Sequence, residues 1–160
     1  MKFITHSDLV KQAKRWLEKA HGTKFACGVV LAEFVCTLPE IPDVIGFSAH
    51  RSIVIECKVS RADFLGDKKK SCRHRSKQLG NLRYYLVLPH VACAGDIDNG
   101  WGLLYATDKE IREVKESEYF GADSVKAAEW SILYSVVRRT KLRGLLADIQ
   151  KPLAEDDMEL

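Results

Sequence analysis

The sequence has no CxxC pair, no long apolar run and no internal repeat, and each absence removes a class of protein. Its five cysteines (Cys27, Cys36, Cys57, Cys72 and Cys93) are odd in number and scattered in spacing. A disulfide framework is therefore not expected, and a reducing cytosol suits them. Cys72-Arg73-His74, with Cys93 as a distant third ligand, falls short of the four that a structural zinc takes, so no zinc is expected. The longest apolar stretch, Ala26 to Ala32, is cut by Glu33 and is far shorter than the ~20 residues of a membrane span. Residues Met1 to Ser7 turn polar too early for a signal peptide. A cytoplasmic protein with no membrane partner is the expectation. No phosphate-cradling glycine motif and no nucleophile elbow is present, which leaves a metabolic-enzyme reading without support.

No Pro/Gly/Ser linker divides the chain. Its 160 residues therefore read as one domain over 1–150, followed by an acidic tail over 151–160. With 46% hydrophobic and 29% charged residues, a sizeable core forms without covalent staples. The net charge of +3 says little until it is divided along the chain. Residues 51–83 hold ten Lys/Arg against three Asp/Glu, a local +7 that leaves the rest at −4. Positive charge concentrated this way suits a polyanionic partner, and a merely solvated charged face is the plainer account of the same run.

The periodicities predict a mixed α/β domain of order α-β-β-β-α-β-β-β-α. Leu9, Val10, Ala13, Trp16, Leu17 and Ala20 recur at helical spacing, with Thr5 or Ser7 as cap and Gly22 as stop. Phe25 to Thr37 reads as a strand. Val44–Phe47 and Ser52–Val59 form a hairpin around Ser48-Ala49-His50-Arg51. Ser60 to Asp63 has the shape of a capping box, opening a helix-compatible but poorly amphipathic segment that runs from Arg61 to Gly80. Arg83–Leu88 and Trp101–Ala106 are strands, Ile111–Lys115 is a short edge strand, and Ser124–Ile149 is one long amphipathic helix or two. Trp16, Trp101 and Trp130 fall on faces that suit packing rather than a binding box.

Chemistry concentrates at Pro42-Asp43 and, after a gap of twelve residues, Glu56-Cys57-Lys58. Strand side chains alternate, so Glu56 and Lys58 point one way while Ile55, Cys57 and Val59 point the other. Asp43 enters the neighbouring hairpin strand, close enough to share a site with Glu56. Two adjacent carboxylates repel unless a cation lies between them. Hard oxygen ligands with room for water suit Mg²⁺, and a nearby ammonium can orient a water and balance developing negative charge. The combination suits metal-assisted hydrolysis of a phosphodiester. Glu33 interrupts an apolar strand, where a charge is costly unless satisfied; it is either a third acid of the site or a half-exposed strand residue.

This arrangement resembles the PD-(D/E)xK nuclease superfamily. The fuller run from Ile41-Pro42-Asp43-Val44-Ile45 through Ile53 to Phe64 and on to Asp67-Lys68 is similar to the MmcB-type DNA repair nucleases. The likeness covers roughly residues 5–106 in order of elements and is specific across 41–70. It implies a restriction-endonuclease-like αβββαβ core with a mixed central sheet flanked by helices. Asp43 and Glu56 would bind Mg²⁺, with Mn²⁺ able to substitute and the Cys57 backbone carbonyl as a further ligand. Lys58 would position the attacking water, and Glu33 would match the family's earlier acid. Asp63, Asp67 and Lys68 fall where that family keeps a second polar cluster. Gln78 lies where related nucleases often keep a supporting Gln, although the usual spacing to a Tyr is not kept. Many members dimerise, which puts a homodimer among the states implied.

The basic segment then finds a role in gripping DNA phosphates. Arg61, Lys68, Lys69, Lys70, Arg73, His74, Arg75, Lys77 and Arg83 lie on or just after the helix that follows Lys58, a density suited to salt-sensitive, sequence-independent binding. No aromatic row lies beside them, because Tyr84 and Tyr85 belong to a strand, so base stacking is not expected there. Two functions remain in play: a Mg²⁺-dependent DNA nuclease of repair, recombination or phage DNA processing, and a catalytically inactive nuclease-fold module that binds nucleic acid or a protein partner.

Overall fold

Helix α1 (His6–Lys19) begins where the sequence offers a reciprocal cap. The Thr5 N–H donates to Asp8 Oδ2 at 3.0 Å, and the Asp8 N–H donates to Thr5 Oγ1 at 3.2 Å, satisfying two donors that the first turn leaves open. Of the two candidate caps, Thr5 is the one used. The structure is a computed structural model that describes residues 4–36, 38, 41–68, 79–97, 100–121 and 123–149. The expected tail over 151–160 lies outside these residues.

Strands β1 (Val29–Ala32), β2 (Val44–Phe47), β3 (Ser52–Lys58), β4 (Leu82–Val87), β5 (Gly102–Ala106) and β6 (Ile111–Lys115) form one six-stranded sheet in sequence order. β1 to β3 form an antiparallel meander, β3 and β4 are parallel, β4 and β5 are parallel, and β6 returns antiparallel at the edge. The parallel β3–β4 step needs a crossover, and α2 (Arg61–Lys68) lies within it. The element order is as the periodicities predict, and the mixed central sheet flanked by helices is as the resemblance implies. No helix among the described residues is long and apolar enough to cross a membrane.

β1 is shorter than the strand expected over Phe25–Thr37. Glu33 adopts a left-handed backbone, φ 46°, a region that ends extended pairing for a residue with a Cβ. Its N–H makes a bond to the Asp43 carbonyl at 2.9 Å, tying the end of β1 to the start of β2. α2 takes up the start of the segment expected to be helix-compatible over Arg61–Gly80, and residues 69–78 lie outside those described. The C-terminal segment is two helices, α3 (Asp123–Leu142) and α4 (Leu146–Ile149), parted at Gly144 with φ 76°.

Strand alternation sorts the core into two layers. Leu9, Val10, Ala13 and Leu17 of α1 pack with Val44, Ile53, Ile55, Cys57, Tyr84 and Leu86. On the opposite face, Phe64 of α2 and Ile132 of α3 pack with Ile45, Val54, Tyr85, Val87 and Leu103. Trp101 is buried and stacks on Tyr85, with centroids 4.6 Å apart. Trp16 packs against Phe25. Trp130 breaks the expectation, being 71% exposed: the sheet takes the Val125–Ile132 side of α3, and Trp130 lies on the side turned away.

Candidate active site

β3 is buried along its whole length, yet it carries Glu56 at 4% and Lys58 at 5% exposure. Both share the Val54 face, which looks toward α2 and α3. Asp43 reaches them because Val44 pairs with Ile55, so the residue before β2 stands beside Glu56 and Cys57. Its Oδ2 accepts the Cys57 N–H at 2.7 Å. N–H and C=O of a strand residue point to the same neighbour, so the Cys57 carbonyl faces the Asp43 side as well.

The Lys58 ammonium stands among three carboxylates. Nζ lies 3.3 Å from Asp67 Oδ1, 3.4 Å from Glu56 Oε2 and 3.8 Å from Asp43 Oδ2. Burial pulls its pKa down, but the charges of Glu56, Asp67, Asp43 and Asp63 together outweigh that and hold it above the usual lysine value. Asp67 is buried because α2 turns Phe64 and Asp67, three residues apart, onto the sheet. Its Oδ2 accepts the Tyr85 hydroxyl at 3.1 Å, and Tyr85 stands opposite Glu56 across the β3–β4 ladder. The Cys57 thiol belongs to the other layer, where burial first and then the Asp43 and Glu56 charges push its pKa well up.

Asp43, Glu56, Lys58 and Asp67 are thus brought together. Glu33 is not: its side chain is 63% exposed, at the rim, 4.0 Å from His6 Nε2. Asp63 is exposed on the first turn of α2. Arg61 is exposed and forms a two-pronged pair with Asp96, both contacts at 2.6 Å, which holds the Asp96 carboxyl well below its usual range. Lys68 ends α2, while Lys69, Lys70, Arg73, His74, Arg75, Lys77 and Gln78 lie outside the described residues. Arg83 corrects the sequence reading. It is fully buried, donates from Nε to the Leu79 and Gly80 carbonyls at 2.8 and 3.0 Å, and stacks 3.8 Å from the Phe120 ring centroid. An arginine so enclosed cannot grip a phosphate.

Two neighbours were not foreseen. His6 Nε2 lies 3.4 Å from Asp43 Oδ1; no motif marks it, because only the docking of α1 brings its first residue to this end of the sheet. Tyr85 could have been found by registering Leu82–Val87 in parallel against β3. Among the described residues no three His, Cys, Asp or Glu side chains converge as a metal cage. Mg²⁺ does not need one, since it is commonly held by one or two carboxylates with waters and substrate phosphates. Asp43, Glu56 and the Cys57 carbonyl supply a sparse, all-oxygen set that fits this chemistry.

No family model and no curated protein matches the chain. It is similar in fold to a solved structure described as "SPO1766 protein of unknown function from Silicibacter pomeroyi", with a TM-score of 0.60 and 23% identity over 97% of this chain and 99% of that one. At that identity the likeness shows the fold: a mixed α/β domain, matched along nearly the whole of both chains.

Proposed function

We propose that the protein is a metal-dependent nuclease of the PD-(D/E)xK type that hydrolyses phosphodiester bonds of DNA. The observation that carries this reading is the cluster of buried Glu56, Lys58 and Asp67 with half-buried Asp43. Burying so many ionisable groups costs stability, and such clusters concentrate at catalytic sites. Asp43, Glu56 and the Cys57 carbonyl would hold Mg²⁺, with Mn²⁺ as a substitute. Bound there, the ion would polarise phosphoryl oxygens and lower the pKa of a water. Lys58 would orient that water and stabilise the charge growing on the phosphate. Asp67, held by Tyr85, would fix the ammonium in place.

DNA as partner rests on the resemblance and on the basic run of Lys68, Lys69, Lys70, Arg73, Arg75 and Lys77; repair, recombination or phage DNA processing is the setting that goes with it. The same resemblance extends to a homodimer. Purified protein incubated with single-stranded, nicked and branched DNA plus Mg²⁺ or Mn²⁺ should release products. Asp43→Ala and Lys58→Ala should each lower that rate on the order of a hundredfold or more. Cleavage that survives either substitution sinks the assignment, and salt-sensitive binding without cutting on any substrate returns the binding-module reading.

A further inference from the structure

Helix α3 turns an unusual ridge to solvent. Trp130 is 71% exposed and Tyr134 59%, and Arg138, four residues further on, is exposed as well. Lys141, also exposed, extends the row. Between Trp130 and Ala147 there are four Arg/Lys and no acid. A tryptophan left in water on a regular helix calls for an occupant. Leu133 and Val137 flank the same side, but a hydrophobic partner covering the ridge would also have to desolvate Arg138 and Lys141, which is costly without paired acids. A nucleic-acid strand needs both kinds of group, since aromatic rings take base faces and cations take phosphates.

The helix that carries the ridge runs toward the site's end of the sheet. Near its start, Glu129 accepts from the Ser52 hydroxyl and the Gly80 N–H, at the beginning of β3. Near its end, Arg139 donates to the Val35 carbonyl and lies 4.2 Å from the Phe34 ring centroid. Phe34 and Val35 follow Glu33, whose N–H bonds the Asp43 carbonyl. The cationic end of α3 therefore lies at the site's end of the sheet.

We propose that this ridge is a single-stranded nucleic-acid track, in which Trp130 and Tyr134 stack bases while Arg138 and Lys141 hold phosphates and lead the strand toward Asp43 and Lys58. Helical rise puts Trp130 and Tyr134 about 6 Å apart along the axis, wider than the roughly 3.4 Å base rise of a duplex. Only an unpaired, unstacked strand offers free base faces at that spacing. The track rests on the nuclease reading, since it names that site's substrate as single-stranded.

Fluorescence anisotropy of the full chain in EDTA, with labelled oligo(dT) and a duplex of equal length, tests it. Trp130→Ala and Tyr134→Ala should each weaken oligo(dT) binding roughly five- to a hundredfold while duplex binding stays put. Trp130→Phe should keep the binding and lose the quenching of tryptophan fluorescence that the wild type shows. Arg138→Glu with Lys141→Glu should weaken binding and flatten its salt dependence. Oligo(dT) binding unchanged in Trp130→Ala overturns the track. So does conversion of a dimer to a monomer by that substitution with DNA binding intact, which would make the ridge a protein interface. A protein that cuts nothing, yet loses oligo(dT) with Trp130→Ala, keeps the track and loses the nuclease. Duplex cleavage unaffected by Trp130→Ala, with no single-strand binding, does the reverse.

Discussion

Lys58 holds one positive charge among the carboxylates of Asp43, Glu56 and Asp67, and its stability role follows from that placement. Removing one partner of a buried ionic group typically costs about 3–5 kcal/mol, because the others remain buried without it. Lys58→Met, unfolded thermally in EDTA, is expected to lose stability of that order at neutral pH and to recover part of it in acid, where the remaining carboxylates take up protons. In the wild type the Lys58 pKa is raised on folding, so its contribution is fully present below the ordinary lysine value and is lost as pH rises through the folded one. A Lys58→Met protein as stable as wild type at pH 7 would contradict the geometry. Strand alternation alone pairs Glu56 with Lys58 on one face, so this much was visible beforehand. That Asp67 comes to 3.3 Å was not, because helical spacing says which residues share a side and not what that side meets.

At the scale of elements, two joints carry the sheet's packing. Gly102 of β5 stands opposite Tyr84 of β4, and a Cβ there would come within 2.3 Å of the ring. Gly102→Ala should cost about 1–3 kcal/mol by overpacking, measured by urea denaturation; an unchanged midpoint would mean that Tyr84 moves freely. Glu129 joins α3 to the starts of β3 and β4 through Ser52 and Gly80. Burial pushes its pKa up, against the bonds from Ser52 and Gly80 and the Arg83 charge. An acid with a raised folded pKa weakens the fold as pH climbs above its ordinary value. Glu129→Gln should therefore gain on wild type as pH rises above 4.5, followed by melting temperature, and a gap that narrows with rising pH would refute it. The hairpin, the edge strand β6 and the Thr5 cap were readable from local chemistry. The premature end of β1 was not, since Glu33 in a left-handed conformation satisfies a tie to Asp43 that no propensity records.

Across the whole molecule, β3 and β4 lie at the centre of the sheet with helices on both faces, whereas α4 is a short, largely exposed helix that follows α3. Native-state hydrogen exchange should be slowest in β3 and β4 and fastest in α4; early exchange at Ile55 or Leu86 would mean that the core opens elsewhere than at its edges. The sequence by itself determined the element order, the hairpin that places Asp43 beside Glu56, and the shared face of Glu56 and Lys58, because backbone periodicity and turn chemistry act over a few residues. Tertiary structure decided the rest. It closed the cluster with Asp67 and Tyr85, brought His6 alongside Asp43, buried Arg83 against Phe120, and turned Trp130 to solvent. Each depends on which of two sides an element presents to a neighbour far away in the chain. That choice is made by packing layers against one another, which a local pattern cannot express.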